Sequence, residues 1–137
     1  MDSGYVYRYV LRDWCLEPRA SADEIGDVVK RMKFSLPADY LNFIGEHNGG
    51  EGFVGENYLI LWKIGDLIDF NADYEVEDYA PGIFLFGSSG GGEGYGFDTR
   101  SLKLPVVRIP FIGMELQYAD KVSDDFGKLW SALRGSR

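Results

Sequence analysis

Phe86-Gly87-Ser88-Ser89-Gly90-Gly91-Gly92-Glu93-Gly94-Tyr95-Gly96-Phe97-Asp98 is the stretch whose structure decides the fold. Six of the ten residues from Gly87 to Gly96 are glycine, and apolar residues flank the run on both sides. Glycine accepts turned backbone that other residues resist, so the spacing predicts a turn between two strands. Upstream, beyond the Pro81-Gly82 break, Ile83 to Phe86 is a short apolar strand. Downstream, Tyr95 to Asp98 and Val106 to Ile109 supply two more, the second bounded by Pro105 and Pro110. Phe53 to Lys63, rich in aromatic and branched residues, extends the sheet, with Gly52 and Gly55 marking a turn.

Helical spacing surrounds this sheet. Ser21-Ala22-Asp23-Glu24 has the form of a capping box, followed by an apolar stripe of Ile25, Val28, Val29 and Met32. Leu36-Pro37 opens a second helix with Pro37 at its first position, Tyr40, Phe43, Ile44 and His47 on one face, and Asn48-Gly49-Gly50 as its stop. Ile64 to Tyr74 is helical again, and Ser123 caps a closing helix whose Phe126, Leu129, Trp130 and Leu133 face inward. Tyr5 to Trp14 fits a helix, ended by Pro18, or a strand; we favour the helix. The tail from Gly135 is expected to fray. The class is α+β: a single domain over residues 1–137, with a mostly antiparallel central sheet flanked by N-terminal helices and a C-terminal helix.

The chain of 137 residues carries 22 acidic and 14 basic side chains, a formal charge of −8. That balance opposes direct binding to nucleic-acid phosphates or anionic membranes. Between Lys63 and Arg100 no Lys or Arg occurs over 36 residues, which hold Asp66, Asp69, Asp73, Glu75, Glu77, Asp78, Glu93 and Asp98. The rest of the chain has 14 acids and 14 bases, so the net charge belongs to this segment. Such a block is either a solvated face or a field that steers a cationic partner. No apolar run is long enough to span a membrane and no secretion signal is visible, so a cytoplasmic protein is expected. The lone Cys15, which has no internal disulfide partner, agrees with a reducing compartment.

No catalytic constellation stands out. His47, the single histidine, precedes a glycine stop and reads as a packing or capping residue. Cys15, between Trp14 and Leu16, reads as a small buried thiol. The glycine run lacks the Gly-Lys-Ser/Thr ending of a phosphate loop and contains no base. Glu93 and Asp98 offer too few oxygens for a hard cation, so neither metal nor other cofactor is expected. The aromatics Tyr40, Phe43, Phe53, Tyr58, Trp62, Phe84, Phe86, Tyr95 and Phe97 are expected mostly in the core.

The order of these motifs resembles the SUKH superfamily, which includes domains named after fungal cell-wall assembly regulators. The resemblance is carried by Leu36-Pro37-Ala38-Asp39-Tyr40, then Asn48-Gly49-Gly50-Glu51-Gly52, then the glycine run from Phe86 to Asp98, over about residues 18–133. It implies an α+β fold and, for bacterial members, a non-enzymatic immunity protein that binds and neutralises a cognate toxin domain by occlusion. We expect that toxin to be a basic nuclease meeting Asp66, Asp69, Asp73, Glu75, Glu77, Asp78 and Glu93. The alternative is a regulatory interaction domain of an endogenous complex. Within the motifs, Asn48, Gly49, Gly50, Gly90, Gly91, Gly92 and Asp98 are expected to shape turns, with Glu93 and Asp98 bonded to free amides of the glycine turn.

Overall fold

The computed structural model describes residues 8–135. Seven strands form one open antiparallel sheet in the order β1-β2-β3-β4-β5-β6-β7, each strand pairing with its neighbours in sequence. They are β1 (Cys15–Leu16), β2 (Gly50–Val54), β3 (Asn57–Leu61), β4 (Ile83–Ser88), β5 (Glu93–Asp98), β6 (Val106–Pro110) and β7 (Asp120–Ser123). The helices are α1 (described over residues 8–11), α2 (Ala22–Arg31), α3 (Ala38–Glu46), α4 (Leu67–Asp73), α5 (Val76–Tyr79) and α6 (Phe126–Gly135). A 3₁₀ turn, Ile64–Asp66, leads directly into α4.

Alternation along the strands divides the apolar side chains between the two faces of the sheet. Consecutive residues Val106 and Val107 fall into different clusters, as do Leu85 and Phe86. The larger cluster packs α1, α2, α3 and α6 on one face around Tyr40, Phe86, Phe97, Phe126 and Trp130. Phe126 meets Tyr40 edge-on at 5.2 Å and Phe86 at 5.6 Å, a geometry that adds about 1 kcal/mol per pair beyond burial. The smaller cluster joins Val76 of α5 and Ala80 just after it to Ile83, Leu85, Val107 and Ile109, with Met114 beside them.

Local chemistry explains the helices on the larger face. Ser21 caps α2 by accepting from the Glu24 amide at 3.1 Å, so the Ser half of the expected box is formed. Val28 of its stripe is buried, whereas Val29 is 40% exposed. Pro37 is the residue before α3 and not its first helical position, because its extended ψ of 149° orients the entry of the chain. The Asp39 carboxylate accepts from Tyr40 N and, 88 residues away, from Gly127 N, each at 2.8 Å. One side chain thus serves the first turns of α3 and α6 and fixes their mutual position.

Several expectations are corrected. The helix expected over Tyr5–Trp14 is seen at residues 8–11 and is followed by β1 rather than running on to Pro18; Tyr5 and Tyr7 lie outside the described residues. Ser123 ends β7 instead of capping α6; the Asp125 carboxylate accepts from Lys128 N at 2.7 Å, and the Ser123 hydroxyl donates to Asp125 O. Gly135 is the last residue of α6, while 136–137 lie outside the described residues. Cys15 is exposed, because β1 is a two-residue edge strand and its side chain points away from the core. Of the aromatics expected in the core, Phe53 is 64% exposed and lies edge-on against Tyr58 at 4.9 Å on the outer hairpin.

The Tyr40 hydroxyl is buried with no hydrogen-bond partner among the described residues, and burial pushes its pKa well above the ordinary 10.0. Removing that hydroxyl removes an unmet desolvation cost, so Tyr40→Phe is expected to stabilise the fold by about 1 kcal/mol in urea unfolding. The folded chain holds this proton more tightly than the unfolded chain does. Stability is therefore intact below pH 10 and falls as pH rises beyond it, and the advantage of the variant grows in that range.

Candidate functional site

The sheet is not evenly paired. Strands β2 and β3 match at five positions, whereas β3 and β4 match only at Ile60–Ser88 and Leu61–Gly87. Beyond Leu61 the chain leaves the sheet, and Trp62 N makes one further bond to Phe86 O at 3.0 Å. Phe86 is the extra residue of a bulge against β5. The gap that opens between β3 and β4 is filled by α4. Its Asn71 amide donates to Leu85 O and accepts from Leu85 N, each at 2.8 Å, and donates also to Leu67 O. A side chain here supplies the hydrogen bonds that a neighbouring strand would have made.

Aromatic stacking fixes the far end of the insertion. Tyr74, just after α4, lies against Phe111 at 4.4 Å with planes 18° apart, and Trp62 meets Phe70 edge-on at 5.1 Å. The chain then reverses through Glu75, whose φ of 55° is left-handed, and enters α5. For a residue with a Cβ that conformation costs about 1 kcal/mol.

This inserted helix pair carries the acids of the central segment. Asp69, Asp73, Glu75, Glu77 and Asp78 are exposed on α4, α5 and the bend between them, with half-buried Asp66 at the entrance. Among the described residues none of these six lies within 4.0 Å of a Lys or Arg nitrogen. Asp66 does feel Lys63, whose ammonium is bonded to Glu17 at 3.1 Å; Glu17 first, and Asp66 to a lesser degree, raise the Lys63 pKa. Glu77 also accepts from Gly82 N at 3.3 Å, which holds α5 to the turn before β4.

Glu93 and Asp98 stand apart from this group. Glu93 faces Arg108 of the adjacent strand at 3.6 Å, so its charge is partly offset there. Asp98 is bonded twice by the Arg100 guanidinium at 2.9 Å and once by its amide, and that pairing lowers its pKa. Neither carboxylate serves the glycine turn, contrary to expectation. The turn is Ser89–Gly92 alone, since Gly87, Gly94 and Gly96 lie within β4 and β5. Its amides are held by serines: Ser88 Oγ accepts from Gly90 N, and Ser89 Oγ accepts from Gly91 N and Glu93 N. Gly90 and Gly92 have φ of 75° and 105°, the reason for glycine at those two places, and Gly91 is exposed between them.

The Asn48-Gly49-Gly50 motif is likewise a junction. Helix α3 ends at His47 in extended conformation, not in a left-handed cap, and the His47 ring packs on Phe43 at 5.7 Å. Buried Asn48 accepts from Ile64 N at 2.8 Å and so ties the end of α3 to the start of the inserted segment. Gly49 has φ of 88°, and a Cβ there would lie 2.5 Å from Leu61 O. Gly50 then starts β2.

Beside the acidic pair runs a cleft of about 330 Å³. Met32 and Phe34, after α2, line one side; Ile68, Ala72 and Val76 line the other, with Phe84 between. At its mouth the exposed Arg31 and Lys33 stand on the α2 side and the exposed Glu77 on the α5 side. Helical spacing placed Asn71 on the apolar face of its helix and the Leu36–Tyr40 motif contained Asp39, but neither disclosed what these side chains hold, and nothing pointed to the cleft. The polar signal was an asparagine on the apolar face of a helix, which has to find partners once buried.

Together these features define an α+β domain with helices packed on both faces of an antiparallel meander and a rigidly held acidic helix pair in a gap of the sheet. The profile of the SMI1 / KNR4 family (SUKH-1) matches residues 19–131, and the chain belongs to that family. It is also 37% identical over 81 residues to a Bacillus subtilis (strain 168) protein described as the uncharacterized protein YnaB. That match covers 59% of the chain and 47% of the relative, about half of its length. No helix among the described residues is long and apolar enough to cross a membrane.

Asn71 is the test of this geometry. Asn71→Ala strands the buried Leu85 N–H and C=O and is expected to cost about 2–3 kcal/mol in urea unfolding. Hydrogen exchange should quicken at Leu85 before it does in the β5–β6 ladder; uniform loss across the sheet would contradict a local role.

Proposed function

We propose that the chain is an immunity-type protein that neutralises a cognate toxin domain of basic charge, a nuclease above all, by covering it. The single observation that carries this reading is the row of carboxylates on α4 and α5, set on a pinned helix pair without a salt-bridged counter-ion among the described residues. Asp69 and Asp73 are four residues apart on one helix, a like-charge spacing that costs a few tenths of a kcal/mol. Such a cost is offset when a cationic surface docks, and a nuclease that holds phosphate presents one. Family membership supports the same reading, since it favours a protein that works through a partner.

The field acts mainly on encounter. Carboxylates held in fixed positions attract and orient a cationic partner, speeding association more than they slow dissociation. Once seated, the domain denies the toxin its substrate by steric cover and by opposing charge, and no bond is made or broken. Glu93 was expected in this surface, but its pairing with Arg108 leaves it a smaller share of the field.

The test is protection of nucleic acid from toxin domains encoded beside this chain, with association followed by stopped flow or biosensor. The triple variant Asp69→Lys, Asp73→Lys and Glu77→Lys should slow association about tenfold or more at low salt and flatten its ionic-strength dependence. Unchanged association and salt slope would remove the acidic surface from the interface. Failure to protect against any neighbouring toxin would remove the immunity function itself.

A further inference from the structure

The acidic helix pair has an inner side as well as an outer one, and the cleft lies along it. Ile68, Ala72 and Val76, which line the cleft, alternate along α4 and α5 with the exposed Asp69, Asp73 and Glu77. A protein held against those carboxylates is therefore within one side chain's reach of an apolar recess of about 330 Å³, the lower end of the size range of binding pockets. The mouth is electrically asymmetric. Arg31 and Lys33 on the α2 side form no ion pair within 4.0 Å among the described residues, while Glu77, next to Asp78, stands opposite. An apolar recess between a free cationic lip and an anionic one selects its occupant by charge order as well as by bulk.

We propose that the cleft is the anchor site for the protein partner, taking one large apolar or aromatic side chain from a segment that is basic on one side of that residue and acidic on the other. The basic flank lies over α4–α5 and the acidic flank meets Arg31 and Lys33. This rests on the partner-binding function proposed above and adds where its affinity resides. Carboxylates at a rim raise the association rate, whereas a filled and desolvated pocket governs how long the complex lasts. Met32 and Phe34 supply the adaptable and aromatic surface that such an anchor contacts.

The probe is a short peptide with a single tryptophan between lysines on one side and glutamates on the other. Its binding is followed by NMR shifts of the α4, α5 and β4 amides and by tryptophan fluorescence of a fluorinated analogue. Saturable binding centred on Ala72 and Phe84 is expected, weakened about tenfold when alanine replaces the tryptophan. Ala72→Trp, which fills the mouth from an exposed helical position, should abolish binding while leaving the circular dichroism and melting curve intact. Arg31→Glu with Lys33→Glu should shift preference toward a peptide with lysines at both ends.

Equal binding of the alanine peptide, or full binding by Ala72→Trp, would overturn the proposal. Peptide failure alongside intact toxin protection would discard the cleft and keep the acidic surface. Peptide binding without protection against any neighbouring toxin would do the reverse.

Discussion

The gap between β3 and β4 is the constraint from which the rest of the molecule follows. Two strands consecutive in the sheet pair at only two positions, so the backbone of Leu85 faces sideways with nothing from β3 to meet it. A buried peptide group without a partner costs more than a typical hydrogen bond returns, and the chain answers with Asn71. Because one amide has both an acceptor and a donor end, a single side chain replaces one rung of a ladder. That fixes where α4 sits, and α4 fixes the rest: its outer side carries the acids and its inner side lines the cleft.

Much of this was legible in the residues. Six glycines between apolar runs signalled a strand–turn–strand unit, and β4 and β5 are that unit. Ser21 and the stripe behind it announced α2, and the aromatic spacing of α6 gave its buried face. What escaped was short or long-range. The two-residue β1 and four-residue β7 exist because of the strands beside them, and α5 is a single turn after a left-handed Glu75. No periodicity can be read from elements of that length. The glycine run also misled, since Gly87, Gly94 and Gly96 belong to strands, where close packing rather than turning accounts for them: a Cβ on Gly87 would overlap Ile60 O, and one on Gly96 would overlap Phe84 O.

The site was legible as charge but not as shape. A 36-residue absence of Lys and Arg marked the acidic block, and helical spacing over Ile64–Tyr74 foreshadowed α4 but not α5. Which members of it remain uncompensated depended on cross-strand register, visible only once Arg108 of β6 was found beside Glu93. Asp98, similarly, is satisfied by Arg100 two residues on, through a turn that sequence spacing did not resolve. The block that the sequence presents as eight equal charges is thus six on a helix pair and its adjoining turns and two that are paired with arginines.

That division has a consequence for how binding and folding are kept apart. The motifs at 36–44, 48–52 and 86–98 hold the framework: Asp39 bridges two helices, Asn48 anchors the inserted segment, and Ser88 and Ser89 close the glycine turn. The acids at 69–78 touch none of these contacts. Their helices are retained from the inside, by Asn71, Leu67 and Val76, and from the end, by the Tyr74–Phe111 stack. Substituting an outer carboxylate other than Glu77, which also accepts from Gly82 N, therefore alters the field without opening the core, at the few tenths of a kcal/mol typical of surface positions. On the binding role proposed for it, this surface can change in charge pattern while the scaffold that presents it stays the same. An evenly paired sheet would have left no gap for such a helix pair, so the incomplete pairing of β3 with β4 is what separates the acidic surface from the fold that carries it.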